Sequence, residues 1–332
     1  MQNLETIQNN INCLNPQQRK IFDDVIERSL GKPFFLYIAG DPGTGKTFLI
    51  NTIISALRIQ YLKSGMGLDK DSVLIMCPTA SASKHMSGGD TIHGALKFML
   101  SDNGDRNLSH DNEGKLANHL SEVKVLIIDE ISMVGSKMLL KINNRLKRIL
   151  GNEMHFGGLS VITTGDFLQL PPVHDSFAFL TPKEAGRPNH AAPKIWHIFK
   201  MYMLTQKMRS KDDILFQELI ARIGKNTLTQ DNIKILEGRV DKCPTISDNQ
   251  LYMDKKQIFI AKTHKAVDDF NLDQVMNLEG RLHTFPAKDM LVQKDKQLPD
   301  LSNFNETKLK GLPNSVSLKI NAPVNKKYKQ VM

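Results

Sequence analysis

The fold is decided by one stretch of the sequence, Phe34-Phe35-Leu36-Tyr37-Ile38-Ala39-Gly40-Asp41-Pro42-Gly43-Thr44-Gly45-Lys46-Thr47. It begins as an apolar run typical of a buried strand, breaks into glycines, and leads into residues 48–57, whose composition predicts a buried helix. Backbone N–H groups of the glycines can turn inward to form a concave anion site, and the positive end of the helix dipole points at the same place. A strand, a glycine-rich turn and a helix in this order predict a phosphate-binding loop in an α/β fold.

The residue types of this loop indicate what it binds. The spacing matches the P-loop pattern, in which the lysine reaches the β- and γ-phosphates and the following hydroxyl ligates Mg²⁺. We therefore expect a nucleoside triphosphate to be held by Gly40, Gly43, Thr44, Gly45, Lys46 and Thr47. The alternative is a glycine-rich turn with no chemical role, which leaves the flanking strand and helix unexplained.

Two carboxylates follow a second apolar run, Val123-Lys124-Val125-Leu126-Ile127-Ile128-Asp129-Glu130. A nearly continuous apolar segment is typical of a central parallel strand that is covered on both faces. Carboxylates at the end of such a strand are costly without a cation or hydrogen-bond donors. Beside a P-loop, Asp129 is expected to hold Mg²⁺, and Glu130 to orient and deprotonate the attacking water.

Polar residues follow two further predicted strands, where the carboxyl ends of parallel strands line a ligand crevice. Residues 159–164 end in Gly165-Asp166-Phe167-Leu168-Gln169-Leu170-Pro171-Pro172, which places Gln169 to sense the γ-phosphate and Asp166 to support the metal. Residues 72–77 are followed by small and hydroxyl-bearing side chains. There, Thr79 either donates to a nucleic-acid phosphate or caps an ordinary strand-to-helix turn. His93, taken alone, is more often a structural histidine.

Gln18 has two interpretations, which remain open. Asn15, Pro16 and Gln18 predict an N-cap, a first-turn proline and a capping box. A glutamine just upstream of a P-loop strand also offers a donor and an acceptor to an adenine edge. Likewise, the basic side chains of the helix predicted over residues 137–150 form either a DNA contact or a solvated face.

The second half of the chain is less informative. Residues 101–122 are polar and predict a surface insertion or loop. Residues 201–204 predict a strand that enters a second domain, and Arg209 follows it where an arginine finger in the same chain would lie.

Composition excludes several classes of protein. The 332 residues are 24% charged and 40% hydrophobic, with a net charge of +9 and a pI near 9.3, which fits a polyanionic partner without requiring one. Cys13, Cys77 and Cys243 are far apart, so neither a zinc site nor a disulfide framework is expected. No secretory signal or membrane-length apolar run is present, and a reducing intracellular compartment, nucleus or cytoplasm, is the expectation.

Together the motifs resemble the Pif/RecD-like branch of superfamily-one DNA helicases, over nearly the whole chain. The most specific segments are Gly165–Val173 (residues 165–173), residues 129–134, and Leu204-Thr205-Gln206-Lys207-Met208-Arg209. The resemblance implies an α/β P-loop NTPase of tandem RecA-like domains with parallel central sheets, spanning residues 1–200 and 201–332. It also implies a small inserted wedge over residues 97–122.

The resemblance further implies an ATP- and Mg²⁺-dependent 5′→3′ helicase that moves on single-stranded DNA and forks in replication, repair or recombination. Gln18 would then recognise adenine, Gln169 would couple the γ-phosphate to DNA, and Arg209 would be an arginine finger. Thr79 and His93 would lie along the DNA, and the helicase would act as a monomer.

The sequence departs from the family pattern at three places. Ala80 stands where the family usually has glycine, and Gly135 where an acid is common. The chain ends at Met332 before the late motifs of the second domain, so that domain is expected to be incomplete, and a partner that supplies the rest is one option. The alternative function is a shortened relative that binds ATP and DNA without unwinding.

Overall fold

The computed structural model describes residues 4–66, 71–98, 108–181, 183–184, 187–188, 193–208, 213–240, 260–286, 315–320 and 322. The chain divides into two units, Met1–Asn232 and Ile233–Met332. In the described residues, no helix has both the length and the apolar composition that a membrane span needs.

The first unit alternates helices and strands. Its helices are α1 Leu4–Asn12, α2 Pro16–Arg28, α3 Lys46–Lys63, α4 Ala80–Ser83, α5 Ile92–Ala95, α6 His110–Leu120, α7 Ser136–Leu150, α8 Pro193–Trp196 and α9 Ile214–Gly224, while α10 Gln230–Val240 crosses the division between the units. Its strands are β1 Phe35–Gly40, β2 Val73–Cys77, β3 Asp90–Thr91, β4 Val125–Ile128, β5 Ser160–Gly165, β6 Lys183–Glu184, β7 Arg187–Pro188 and β8 Lys200–Leu204. Strands β6 and β7 form a separate short antiparallel pair.

Six strands form one parallel sheet in the order β3-β2-β4-β5-β1-β8. β1 lies between β5 and β8, with Ala39 opposite Gly165 and Gly40 opposite Leu204. Because all six strands run the same way, the segments that follow β1, β4 and β5 emerge at one edge of the sheet. This arrangement confirms the predicted α/β fold with a parallel central sheet.

The sheet is buried on both faces. On one face, α2 and α3 pack through a cluster that includes Val25, Ile38 and Ile53. On the other, α7 packs through a cluster that includes Tyr37, Leu126 and Ile142. Two-sided burial explains why β1 and β4 are nearly continuous apolar runs in the sequence.

Two sequence-based expectations are wrong. Residues 201–204 do not open a second sheet, because β8 pairs with β1 from Leu36–Lys200 to Gly40–Leu204 and forms the edge of the first sheet. Residues 101–122 were expected to be a surface insertion or a loop, and the loop alternative is wrong for residues 110–120, which form helix α6 with Leu116 and Leu120, four positions apart, both buried against the core. Two buried leucines at that spacing give this otherwise polar segment the apolar face that packs it against the core as a helix.

The basic side chains of α7 do not form one solvated face either. Arg145 is buried and lies 5.0 Å from the centre of the Phe98 ring, and Arg148 forms an ion pair with Glu113 of α6. At least these two therefore join α7 to the neighbouring segment. The predicted end of α7 is confirmed, with Gly151 in the left-handed conformation.

An acid does occupy the N-terminus of α7, although Gly135 stands there in the sequence. Asp175, from the loop after β5, accepts hydrogen bonds from the N–H groups of Lys137 at 3.1 Å and Met138 at 3.2 Å. A Cβ at Gly135 would lie 2.1 Å from the Asp175 carboxyl group. The glycine leaves room for a carboxylate supplied 40 residues later, which serves as the helix cap.

In the second unit, the described residues form α11 His264–Met276 and an antiparallel pair, β9 His283–Pro286 with β10 Ser315–Leu318. They include no parallel sheet. Most of the segment on which the expected second RecA-like sheet depends lies outside the described residues.

We predict that Asp175→Ala lowers the free energy of unfolding by about 1–2 kcal/mol, because the first N–H groups of α7 lose their acceptor. Urea denaturation measures the change. Ser176→Ala is the matched control, since Ser176 acts there through its backbone carbonyl, which accepts from Ser136 N–H. Equal midpoints for the two variants would contradict the assignment.

Candidate active site

The P-loop, residues 41–45, is held by its own side chains and by glycine geometry. The Thr44 hydroxyl donates to the Asp41 carbonyl at 2.9 Å, and Gly43 and Gly45 both have φ of +81°. A Cβ at Gly45 would lie 2.5 Å from Gln18 Nε2, so conformation and space both require glycine. No described side chain caps α3 at its first turn, which leaves N–H groups directed at the loop for an anion.

Lys46 lies where the carboxyl ends of the strands meet. Its ammonium group donates to the carbonyl oxygens of Gly40 at 2.5 Å and Asp41 at 3.0 Å. Burial lowers the pKa of Lys46, while four carboxylates around it act in the opposite direction. These are Asp166, Glu130, Asp129 and Asp41. The lysine therefore belongs to a compact cluster of charges drawn from the ends of β1, β4 and β5.

Asp129 and Glu130 leave the end of β4 through a strained turn. Asp129 Oδ1 accepts the Glu130 N–H at 2.9 Å, and Glu130 has φ of 54° and ψ of 49°, a left-handed conformation rare for this residue type. Burial raises the pKa of both carboxyl groups, and the charge of Asp129 raises the pKa of Glu130 further. Two partly buried acids thus compete for one nearby lysine.

Gly165 makes room for this turn. At the end of β5, a Cβ on Gly165 would lie 2.9 Å from the backbone nitrogen of Ile131, the residue after Glu130. The next residue, Asp166, is buried and accepts the Leu168 N–H at 3.0 Å and Gln169 Nε2 at 3.4 Å. The exposed Gln169 is in this way tied to the same cluster.

The capping-box interpretation of Gln18 is confirmed. Its N–H donates to Asn15 Oδ1 at 2.9 Å, and its Oε1 accepts the Asn15 N–H at 3.1 Å. Its Nε2 donates to the Thr44 carbonyl at 3.2 Å, and the side chain is 1% exposed. The amide oxygen thus serves the cap of α2, the amide nitrogen joins α2 to the P-loop, and adenine recognition by Gln18 stays a prediction.

The two predicted DNA contacts lie at the same edge of the sheet as the P-loop. Thr79 follows β2 and caps α4 by accepting the Ala82 N–H at 3.2 Å. His93 follows β3 in α5, with its ring 6.2 Å from that of Phe98. Burial and the nearby Lys141 lower the pKa of His93, which favours the neutral imidazole. Arg209, the predicted arginine finger, lies outside the described residues.

Sequence reasoning did not find three residues near the site. Lys207 donates to Asp41 Oδ2 at 2.8 Å, and the Met208 N–H donates to the Gly43 carbonyl at 2.7 Å. Burial raises the pKa of Asp129, and the nearby His85 acts in the opposite direction. These residues are far in the sequence from the P-loop or lie in a turn without a recognisable pattern. Their place beside the site therefore cannot be predicted from residue spacing.

The residues fit a magnesium–nucleotide complex better than a metal bound by protein alone. Among the described residues, no group of three or more His, Cys, Asp or Glu side chains could hold a metal ion. Asp129 and Glu130 nevertheless have raised pKa values that a divalent cation would lower. Magnesium is commonly held by one or two protein oxygens together with phosphate and water.

A parallel sheet with this loop, lysine and carboxylate pair defines a P-loop nucleotide-binding protein. A model of the PIF1-like helicase family matches residues 13–234. The chain belongs to the PIF1-like helicase family.

Relatives and solved structures agree with this assignment. The ATP-dependent DNA helicase RRM3 of Saccharomyces cerevisiae is 27% identical over 304 residues, which cover 87% of this chain and 37% of that protein. The crystal structure of Pif1 helicase from Candida albicans matches with a TM-score of 0.69 and 26% identity, over 92% of this chain and 63% of that one. A Bacteroides Pif1 helicase in complex with ADP-AlF3 and ssDNA shares the fold, with a TM-score of 0.55, 20% identity, and coverage of 93% and 64%.

The chain covers 31% to 37% of the length of RRM3 and of two ATP-dependent DNA helicases named Pif1, so it spans about a third of these curated relatives.

We predict that Glu130→Gln stabilises the nucleotide-free protein at pH 7.5 by about 0.5–2 kcal/mol, because it removes a repelled, partly buried charge. The pKa of Glu130 is raised in the folded state, so the charged form costs stability as pH rises through that value. The gain should therefore shrink as the pH falls toward the ordinary glutamate range. Thermal and urea unfolding across this range give the comparison.

The control for Glu130→Gln is Glu153→Gln, which removes an exposed charge that lies 3.7 Å from Lys147. We expect little change from it. A destabilised Glu130→Gln variant at pH 7.5 would show that the carboxylate is favourably paired instead.

We predict that Gly165→Ala slows triphosphate hydrolysis at least about tenfold, because the new methyl group displaces Ile131 and the Glu130 turn. Nucleotide affinity should change less than about threefold, since the P-loop donors are untouched. Gly114→Ala on α6, where a Cβ meets nothing within 4 Å, is the control. An unchanged turnover number for Gly165→Ala would show that Gly165 is not needed to position Glu130.

Proposed function

We propose that this chain contains the ATP-hydrolysing site of a DNA helicase that moves 5′→3′ on single-stranded DNA. The observation that carries the proposal is Lys46, held among carboxylates from three strand ends with Glu130 beside it. Family membership and the names of the relatives, which are ATP-dependent DNA helicases, support ATP as the substrate and DNA as the partner. DNA replication, repair and recombination are the expected settings.

The described residues divide the work of hydrolysis. The P-loop amides of Gly43 and Gly45 and the ammonium group of Lys46 bind the β- and γ-phosphates, and Lys46 leaves its carbonyl partners to do so. Glu130 takes a proton from the attacking water as the water oxygen bonds to the γ-phosphorus. The bond from that phosphorus to the leaving oxygen breaks, which releases ADP and phosphate. Its raised pKa suits Glu130 to the role of base near neutral pH.

Mg²⁺ would be held by the Thr47 hydroxyl and Asp129, where it would neutralise charge on the phosphate oxygens. Gln169, tied to Asp166, reports the state of the γ-phosphate to the loop that follows β5. Gln18 contacts adenine in addition to its structural bonds, and Arg209 supplies positive charge to the transition state.

DNA is expected at the edge of the sheet where Thr79 and His93 lie. Support comes from the parallel strands, which bring the ends of β2 and β3 to the edge that carries the P-loop. The Bacteroides helicase was solved with both ADP-AlF3 and ssDNA, so one protein of this fold binds both ligands. We propose single-stranded DNA and forks as partners, a monomer as the working form, and an intracellular location.

The test is ATP hydrolysis by the 332-residue chain with and without single-stranded DNA, followed by unwinding of forked duplexes that carry a 5′ or a 3′ loading strand. We expect DNA to stimulate hydrolysis and unwinding to require the 5′ strand. Lys46→Ala and Glu130→Gln should each lower the turnover number about 100-fold or more, because each removes a group that acts in the transition state.

Glu130→Gln should keep nucleotide binding, whereas Lys46→Ala should lose it. Lys63→Ala, which changes an exposed side chain at the opposite end of α3 from Lys46, serves as the matched lysine control. Hydrolysis that is indifferent to DNA while ATP binding is intact would refute the helicase assignment. Turnover retained in Lys46→Ala would refute the site.

A further inference from the structure

The segment that follows β8 contacts the P-loop through Lys207 and Met208. Leu204 ends the strand beside Gly40, and the chain continues as Thr205-Gln206-Lys207-Met208. The Lys207 ammonium group forms an ion pair with Asp41 at 2.8 Å, and the Met208 N–H donates to the Gly43 carbonyl at 2.7 Å. Asn15 Nδ2 donates to the Met208 sulfur at 3.5 Å. We call residues 205–208 the β8 exit segment.

Gln17 forms hydrogen bonds to the start of this segment with both the oxygen and the nitrogen of its side-chain amide. Its Oε1 accepts the N–H groups of Thr205 at 3.1 Å and Gln206 at 3.3 Å, and its Nε2 donates to the Thr205 hydroxyl at 2.8 Å. The two partners are 188 and 189 residues away in the sequence. A solvated first-turn glutamine would need none of these bonds, and three convergent ones indicate a specific anchor.

Gln17 is itself fixed, because it lies in the first turn of a firmly capped helix. Pro16 and the Asn15–Gln18 capping box set the start of α2, and Gln18 donates to the Thr44 carbonyl of the P-loop. Adjacent glutamines therefore hold two different segments. Gln18 holds the P-loop, and Gln17 holds the β8 exit segment that lies on it.

We propose that Gln17 is a positioning residue that anchors the β8 exit segment on the P-loop. ATP hydrolysis then depends on Gln17, although Gln17 does not bind the nucleotide. The inference rests on the proposed ATPase function of the site. In the sequence, the segment is followed at once by Arg209. Its Lys207 and Met208 contacts meet the loop at Asp41 and Gly43.

The expected kinetic signature is a fall in kcat with little change in KM for ATP. Gln17→Met keeps the length of the side chain but removes its polar bonds, and it should lower kcat about five- to tenfold. The KM should change less than about twofold, because the phosphate donors of the P-loop and Lys46 remain. Gln17→Glu should retain wild-type kcat, since a carboxylate accepts the same two N–H groups and the Thr205 hydroxyl can reverse and donate. A carboxylate is also favourable at a helix N-terminus.

The test pairs these kinetics with amide hydrogen exchange of the full chain, read on peptides that contain residues 205–208. Gln17→Met should raise exchange of the Thr205 and Gln206 amides at least about fivefold, and Gln17→Glu should not. Lys20→Met, which places the same side chain on an exposed position of α2, should resemble wild type in both measurements. The exchange readout needs no catalysis, so it tests the anchor even if the wild-type chain is inactive and the proposed function fails.

The inference is overturned if Gln17→Met keeps both wild-type kcat and protected Thr205 and Gln206 amides. It is also overturned if Gln17→Glu is as slow as Gln17→Met, because the anchor would then not explain the loss. A fall in the unfolding midpoint of Gln17→Met that Gln17→Glu shares would likewise assign Gln17 to stability alone.

Discussion

The candidate site depends on a partly buried ammonium group that is balanced by carboxylates. Lys46 lies among Asp41, Asp129, Glu130 and Asp166, and its ammonium group donates to the backbone carbonyl groups of Gly40 and Asp41. Burial works against three of these charges, since it lowers the pKa of Lys46 and raises the pKa of Asp129 and of Glu130. The cluster is costly for the fold and suited to a ligand that brings both negative phosphate and a cation.

Parallel strands are what bring these groups together. β1, β4 and β5 are adjacent in the sheet and run the same way, so three segments far apart in the sequence end at one edge. Close approach then requires residues without a side chain. The backbone of Gly45 lies close to the Gln18 side chain, and the backbone of Gly165 lies close to the turn that carries Glu130. The strain at Glu130, which has φ of 54°, is tolerated because the turn lies between the buried strand β4 and the buried Ile131.

Local pattern was enough to predict the parallel sheet, the P-loop, the α2 cap and the paired carboxylates, because each is a short run with its own chemistry. Pattern failed where pairing partners are distant. Nothing in residues 201–204 reveals that they pair with β1, and nothing in Gly135 reveals that Asp175 supplies its carboxylate. Helix α6 was missed because two buried leucines decide it within a polar segment. The role of Gln17 was not predicted because its hydrogen-bond partner Thr205 lies 188 residues away in the sequence.

The most direct test of the nucleotide site is amide hydrogen exchange with and without a non-hydrolysable ATP analogue and Mg²⁺. The account predicts that the analogue slows exchange at residues 43–47, where the P-loop and the first turn of α3 offer N–H groups to phosphate. Lys46→Ala should abolish the protection. Unchanged exchange across residues 43–47 at saturating analogue, or protection that survives Lys46→Ala, would contradict the claim that this cluster binds the triphosphate.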